Sequence, residues 1–206
     1  MVCLSFVSVG QDTLKVTPTG MSNSKQSFKI LFDEGILLKR SEKWVNTTYA
    51  NPDKVVSGFK TDNTLNKHFK VNGYSSSVSN LDGQHLAVKY TIDISIEDSL
   101  VTINFNIIEM KIHGTEAYLK FTSDFSSVGF YKKNGQFNGG LLQASKDLEL
   151  FVSNLVFSYY NALLDNSMTS DEALAELKKA KEKLDLGLIT QEKYDEIKAE
   201  LLKYIN

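Results

Sequence analysis

The sequence predicts an α+β protein: an antiparallel sheet of about five strands covered on one face by two helices, followed by a separate C-terminal two-helix hairpin. Three observations carry this. Residues 86 to 97 alternate strictly between apolar and polar side chains, the period of a strand with one buried face. Two segments that flank the alternating region place apolar residues at helical spacing. After Ser167 the composition changes to Ala, Leu, Lys and Glu with no Phe, Trp, His or Cys, which marks a separate unit.

The chain opens on an apolar, uncharged stretch, residues 1–10, in which the small residue Gly10 occupies the −1 position of a signal-peptidase site ahead of Gln11. A basic leader segment is missing. We read residues 1–10 as the remnant of a signal peptide, with a short strand built on Leu4, Phe6 and Val9 as the alternative. The first reading puts the protein outside the cytoplasm, in the periplasm; the second leaves it cytoplasmic. Residues 11 to 24, with Pro18, Gly20 and a Ser/Asn cluster, read as a leader strand or loop, so the domain is expected to span 25–165.

Gln26 to Phe32 alternates into a short strand. Asp33 stands where a helix N-cap belongs, and Leu37, Leu38, Ser41, Trp44, Val45 and Thr48 fall on one helical face. Asn51-Pro52 ends this helix near Tyr49, because the residue before proline is pushed out of the α region. From Lys54 to about Phe121 the period is 2. Leu65, Phe69 and Val71 oppose Asn66, His68, Lys70 and Asn72. Asp82-Gly83 then marks a turn. Leu86, Val88, Tyr90, Ile92, Ile94 and Ile96 oppose Ala87, Lys89, Thr91, Asp93, Ser95 and Glu97. A turn at Glu97-Asp98-Ser99 leads into Val101, Ile103, Phe105 and Ile107, an antiparallel hairpin. The stretch from Glu109 to Gly140 is less regular, with one strand at Ala117 to Phe121. Leu148, Phe151, Val152, Leu155, Tyr159 and Leu163 trace the buried stripe of the second helix.

The tail, 169–206, reads as two helices. Thr169 and Glu172 form a capping box, Gly187 closes the first helix, and Thr190 caps the second. Leu174, Leu177, Leu184, Leu188, Ile189, Tyr194, Ile197 and Leu201 are its candidate interface. Fewer than 40 residues cannot bury such stripes alone, so the hairpin is expected to self-associate, to dock a protein partner, or to fold back on the domain. Leu184 to Tyr194, a Leu-x-x-Gly-Leu-Ile-Thr-x-x-x-Tyr core, resembles the SHOCT family, the short C-terminal domain. That resemblance implies a non-catalytic role in oligomerisation or docking. The run Ser41-Glu-Lys-Trp44-Val-Asn-x-x-Tyr49-x-Asn51-Pro52 resembles a bacterial domain of unknown function with a TATA-binding-protein-like fold, which often follows a signal peptide. It brings no assigned active site.

Composition narrows the chemistry. With 42% hydrophobic and 23% charged residues the chain is neither disordered nor fibrous. Sixteen basic and sixteen acidic residues precede Thr169, so the net charge of −2 lies entirely in the tail. Nothing global draws the protein to nucleic acid or to anionic membranes, and no apolar run is long enough to span a bilayer. One cysteine, Cys3, excludes an intramolecular disulfide. His68, His85 and His113 show no metal-ligand spacing, and no Gly-rich phosphate loop or G-x-S-x-G elbow is present. No cofactor or metal is expected. Trp44 and Tyr49 read as core anchors, with an aromatic ligand platform as the alternative. The wet strand face bearing Lys89, Thr91, Asp93 and Ser95 is the candidate binding surface. The expected function is a non-enzymatic, exported binding module; nucleic-acid binding by fold analogy and an enzyme without a recognisable motif are the competing readings.

Overall fold

A computed structural model describes residues 14–30, 32–61, 64–81, 83–164 and 170–205. The segment read as a leader remnant, Asp82 of the predicted turn, and Thr169 with its capping box lie outside the described residues. In chain order the elements are β1 (Val16–Thr17), β2 (Gly20–Met21), β3 (Lys25–Lys29), α1 (Glu34–Thr48), α2 (Pro52–Val55), β4 (Val56–Ser57), β5 (Lys60–Thr61), β6 (Thr64–Leu65), β7 (His68–Leu81), β8 (Gln84–Glu97), β9 (Leu100–Ile112), β10 (Tyr118–Thr122), β11 (Val128–Tyr131), α3 (Leu142–Leu163), α4 (Ser170–Asp185) and α5 (Gln191–Leu201).

The main sheet has seven strands where about five were expected. Its order is β11-β10-β9-β8-β7-β4, and β3 also pairs with β9. Every pairing is antiparallel except β10 with β11, which is parallel. One edge of β9 serves two neighbours: β3 takes Leu100 to Asn104, and β10 takes Met110 and Lys111.

Helix α1 forms where the sequence places it. Asp33 caps it by accepting the Gly35 N–H at 2.8 Å, and the chain leaves the helix at Tyr49 in an extended conformation. Its buried residues include Leu37, Leu38, Ser41, Trp44 and Val45, while Thr48 faces solvent. Helix α3 buries Leu148, Val152, Tyr159 and Leu163. Together they cover the face that carries Leu86, Val88, Tyr90, Ile92, Ile94 and Ile96, all of them buried in one continuous core. Trp44 packs edge-on to Tyr159 and Tyr49, with ring centroids 4.8 and 5.7 Å away. Its indole N–H donates to Ser158 Oγ at 3.1 Å. Ser41 joins the same cluster through Tyr159, oxygen to oxygen at 2.7 Å. Trp44 is buried among these rings as a core anchor would be.

Gly73 sits opposite Tyr90 on the covered face, where a Cβ would lie 2.1 Å from Tyr90 Cζ. The tyrosine ring occupies the space that a side chain would need. It stacks on Phe105 at 5.1 Å and meets Tyr49 hydroxyl to hydroxyl at 3.2 Å. Burial raises both phenol pKa values, so both groups stay protonated.

Two bulges shape the long strands. Between Lys89–Glu109 and Tyr90–Ile107 the register shifts by one residue, so Ile108 is extra and exposed. Inward positions therefore change from odd (Val101, Ile103, Phe105) to even (Met110). In β7 the shift between Ser75 and Ser79 inserts two residues and preserves the inward phase. The Ser75-Ser76-Ser77 run lies inside this strand and not in a loop.

The leader segment is packed, contrary to expectation. Leu14 and Val16 are buried, Glu149 accepts the Val16 N–H at 2.9 Å, and the Tyr131 hydroxyl donates to the Val16 carbonyl at 3.0 Å. The packed unit thus includes Leu14 and Val16, ahead of Lys25.

Helices α4 and α5 form the expected hairpin and fold back on the start of α1. Ala173 and Leu201 bury Ile36 between them, with Leu177, Ile197 and Phe32 alongside. Lys183 Nζ donates to Asp33 Oδ2 at 2.7 Å, tying the hairpin to the N-cap of α1.

Candidate binding face

The sheet face opposite the helices is polar, and the register of five strands builds it. The Asp98 turn holds Asp98 in the left-handed region at φ 54°, which pairs Glu97 with Leu100 and so sets Asp93 opposite Asn104 and Ser95 opposite Thr102. Pairing with β7 puts Lys70 beside Asp93 and His68 beside Ser95. Pairing with β3 adds Lys25 beside Asn104, and β4 adds Ser57 beside Lys70. The result is a continuous cross-strand row, Ser57, Lys70, Asp93, Asn104, Lys25, with a second row, His68, Ser95, Thr102, Ser27, next to it.

These rows, Ser27 apart, line a groove of about 560 Å³. Asp93 and Ser95, two of the four residues expected at a binding surface, lie in it. Thr91 sits one row away between Asn72 and Asn106, and Lys89 lies beyond, outside the groove lining. Lys70 and Asp93 pair at 3.1 Å, and Asn106 approaches the same carboxylate at 3.5 Å. Lys89 pairs with Glu109 at 2.8 Å, and that hydrogen bond and charge raise the pKa of the lysine. Ser27 and Thr102 share a hydrogen bond at 2.9 Å. Lys25 makes no ion pair among the described residues, so it leaves one uncompensated cation at the end of the first row.

Catalytic readings find little geometry. His68 Nε2 lies 3.6 Å from Glu97 Oε1, but both side chains are 67% exposed, and no hydrogen bond joins His68 to Ser95. His85 and His113 meet elsewhere, through a backbone hydrogen bond of 2.7 Å. Ten residues of β8 separate His85 from Ser95, about 33 Å of strand. Ser126 and Ser127 donate to Asp124 at 3.0 and 2.8 Å, organising the loop that carries them. Among the described residues no three His, Cys, Asp or Glu side chains gather as metal ligands would, and no helix is long and apolar enough to cross a membrane.

No family model and no curated protein matches the sequence. Among solved structures, two bacterial proteins are similar. One is a TBP-like protein from Parabacteroides distasonis, 16% identical, at a TM-score of 0.48 over 72% of this chain and 98% of that one. The other is a DUF4468 family protein from Bacteroides ovatus, 15% identical, at a TM-score of 0.49 over 68% of this chain and 84% of that one. Neither likeness is close enough to carry a function. The hairpin's resemblance to the short C-terminal domain finds no match in these comparisons.

Within the hairpin, Leu177, Ile197 and Leu201 pack on Ile36, while Leu184, Ile189 and Tyr194 are half-buried. Leu174 and Leu188 face solvent, as does Leu186, which the sequence reading left out. The alternating pattern of β7 already placed His68 and Lys70 on the polar side of that strand. What was missing was the register that aligns them with Asp93, and the β3 pairing that delivers Lys25.

Proposed function

We propose that this protein is a non-enzymatic, exported binding module whose uncovered sheet face receives a protein partner. The row from Ser57 through Lys70, Asp93 and Asn104 to Lys25 carries this reading: five strands present hydrogen-bonding side chains to one groove that no helix fills. Such a row suits an extended polar segment, whose donors and acceptors it can match one strand at a time. Export follows from reading residues 1–10 as a leader remnant. The hairpin serves as a docking element, with one face spent on α1 and Leu174, Leu186 and Leu188 turned outward for a further contact.

Nucleic acid fits less well. Lys70 and Lys89 are neutralised by Asp93 and Glu109, which leaves Lys25 as the one uncompensated cation of the groove among the described residues, where phosphate contacts require several. Covalent catalysis would need a nucleophile in contact with a base, and among the described residues the groove lining presents no such pair.

A photo-crosslinking residue in place of Thr91 tests the proposal. It should capture a defined partner, and adding Lys70→Ala and Asp93→Ala should abolish the capture. Equal capture from Lys54 on α2, or a crosslink indifferent to the two alanines, would remove the sheet face from consideration.

A further inference from the structure

Strand β3 leaves the sheet with an open edge. Ile30 donates its N–H to Ser99 and Ser24 accepts from Phe105, so residues 24, 26, 28 and 30 spend their backbone groups on β9. The alternate residues Lys25, Ser27 and Lys29 turn their N–H and C=O groups the other way, and among the described residues nothing hydrogen-bonds to them. The sheet's other edges are closed or interrupted. Beyond β11 the chain returns on itself, bridging Tyr131 to Phe137 and donating from Asn138 to Phe130. Strand β4 has two residues, and the part of β7 beyond it carries the shift between Ser75 and Ser79. The β3 pairing runs from Lys25 to Lys29 without a shift, so its outer edge is regular.

Such an edge is completed by another extended chain, because only a strand offers donors and acceptors at matching spacing. The side chains say which chain. Lys25 and Lys29 are exposed, and neither makes an ion pair among the described residues. The other lysines on strands all do: Lys60, Lys70, Lys89, Lys111 and Lys120 each meet a carboxylate of this chain. Across β9, Lys25 and Lys29 stand opposite Asn104 and Leu100, so their carboxylates must come from the open side. Those carboxylates belong four residues apart on an extended segment. A helix would hold such a pair about 6 Å apart, against about 14 Å between the two lysines along the strand.

Self-pairing is opposed by the same charges. Two β3 strands joined antiparallel across Ser27 would set Lys25 of each against Lys29 of the other, and like charges directly opposite are destabilising. Lysines on an edge keep identical sheets apart. A partner strand with carboxylates at those positions turns the repulsion into pairing, while a basic strand meets it in full.

We infer that the open edge of β3 takes up an extended acidic segment of a partner protein, which adds antiparallel as a further strand with its carboxylates opposite Lys25 and Lys29. The intervening side chains of that segment turn to the covered side, beside Phe28, which is half-buried against Tyr160 at 5.0 Å; apolar residues fit there. The segment runs along β3, whereas the groove row runs across the strands, so the inference stands apart from the function proposed for the sheet face. Lys25 is the groove residue they share.

The probes are the capped peptide Thr-Glu-Val-Thr-Val-Glu-Thr and its lysine counterpart Thr-Lys-Val-Thr-Val-Lys-Thr, titrated into the isotope-labelled full chain and followed by amide NMR. The acidic peptide should shift the amides of Lys25, Ser27 and Lys29 saturably, and the lysine peptide should not. Lys25→Glu with Lys29→Glu, at exposed positions that leave the circular dichroism spectrum unaltered, should weaken the acidic peptide by about tenfold or more and create binding of the lysine peptide. N-methylation of the two Glu residues and the central Thr of the acidic peptide keeps its charge but removes the N–H groups that face β3, and should abolish binding. An acidic peptide that leaves residues 25–29 unmoved at millimolar concentration overturns the inference. So does an N-methylated peptide that binds equally well, since charge alone would then be the attraction. Shifts centred on Ser95 and Asn104 that vanish with Lys70→Ala and Asp93→Ala also overturn it, because that binding would belong to the groove.

Discussion

Helix α3 and the α4–α5 hairpin both lay an amphipathic face on the same domain, yet they are held by different physics. Helix α3 inserts Leu148, Val152, Tyr159 and Leu163 into a core shared with two helices and most of the sheet. The hairpin rests on one small cluster, Ile36, Ala173 and Leu201, supplemented by charge. Lys183 reaches Asp33, and Glu176 is buried between Lys179 at 2.7 Å and Lys39 at 3.7 Å with its other carboxylate oxygen lacking a hydrogen-bond partner. A carboxylate buried in this incomplete way offsets part of what the apolar contact contributes. Burial of many large side chains makes an element inseparable from the fold, whereas a few contacts plus ion pairs make one that can open by itself.

The comparison can be broken most forcefully at Trp44. Trp44→Ala should cost about 3–5 kcal/mol in chemical denaturation and lower the single transition of the whole domain, α3 included. If α3 amides stayed protected while the sheet opened, the shared core would be the wrong description. Leu201→Ala should cost about 2–3 kcal/mol, but only for the hairpin: hydrogen exchange of α4 and α5 should accelerate while the main transition stays in place. A fall in the main melting temperature would mean that the hairpin is part of the core after all.

Acid offers a finer separation. Burial alone would raise the Asp33 pKa, but the hydrogen bond from Lys183 and the N–H of Gly35 outweigh it and hold the carboxyl below its ordinary value. A depressed folded-state pKa stabilises above the unfolded value and is lost as pH falls through the folded one. Hairpin protection should therefore be full above about pH 4 and decline below it, and Asp33→Asn should flatten that decline. The smallest effect belongs to the open face. Lys70→Ala removes a half-exposed ion pair and should change stability by less than about 1 kcal/mol, although it should impair partner capture.

Legibility in the sequence followed regularity. Alternation from Leu86 to Ile96 named the covered face residue by residue, and Asp33, Trp44 and Pro52 fixed α1, because each signal is local and unopposed. The bulge at Ile108 reverses the phase of β9, so a reader who keeps counting by twos past Glu109 loses the strand that β10 must find. Strand β11 pairs in parallel through a connection of five residues, and nothing in four residues reports a parallel partner. Leu14 and Val16 were missed because a Ser/Gly/Pro-rich neighbourhood outweighed two apolar residues. In the hairpin the buried stripe is set by alanines as well as leucines: Ala173 and Ala180 face inward, where their small side chains permit close approach, and Leu174 is left outside. The groove was half legible. Its residues were on the correct face, but their alignment depends on the two-residue shift in β7, which no composition reveals.

The shared edge of β9 sets a schedule for folding. The β7–β8–β9 meander joins neighbours through short turns and can form as soon as it exists, but β3 must wait: Ser27 and Thr102, which hydrogen-bond in the finished sheet, stand 75 residues apart. Until that loop closes, the strand leading into α1 has no place in the sheet, and α1 has no complete surface to cover. A chain synthesised from its N-terminus therefore keeps its first third uncommitted until β9 has emerged.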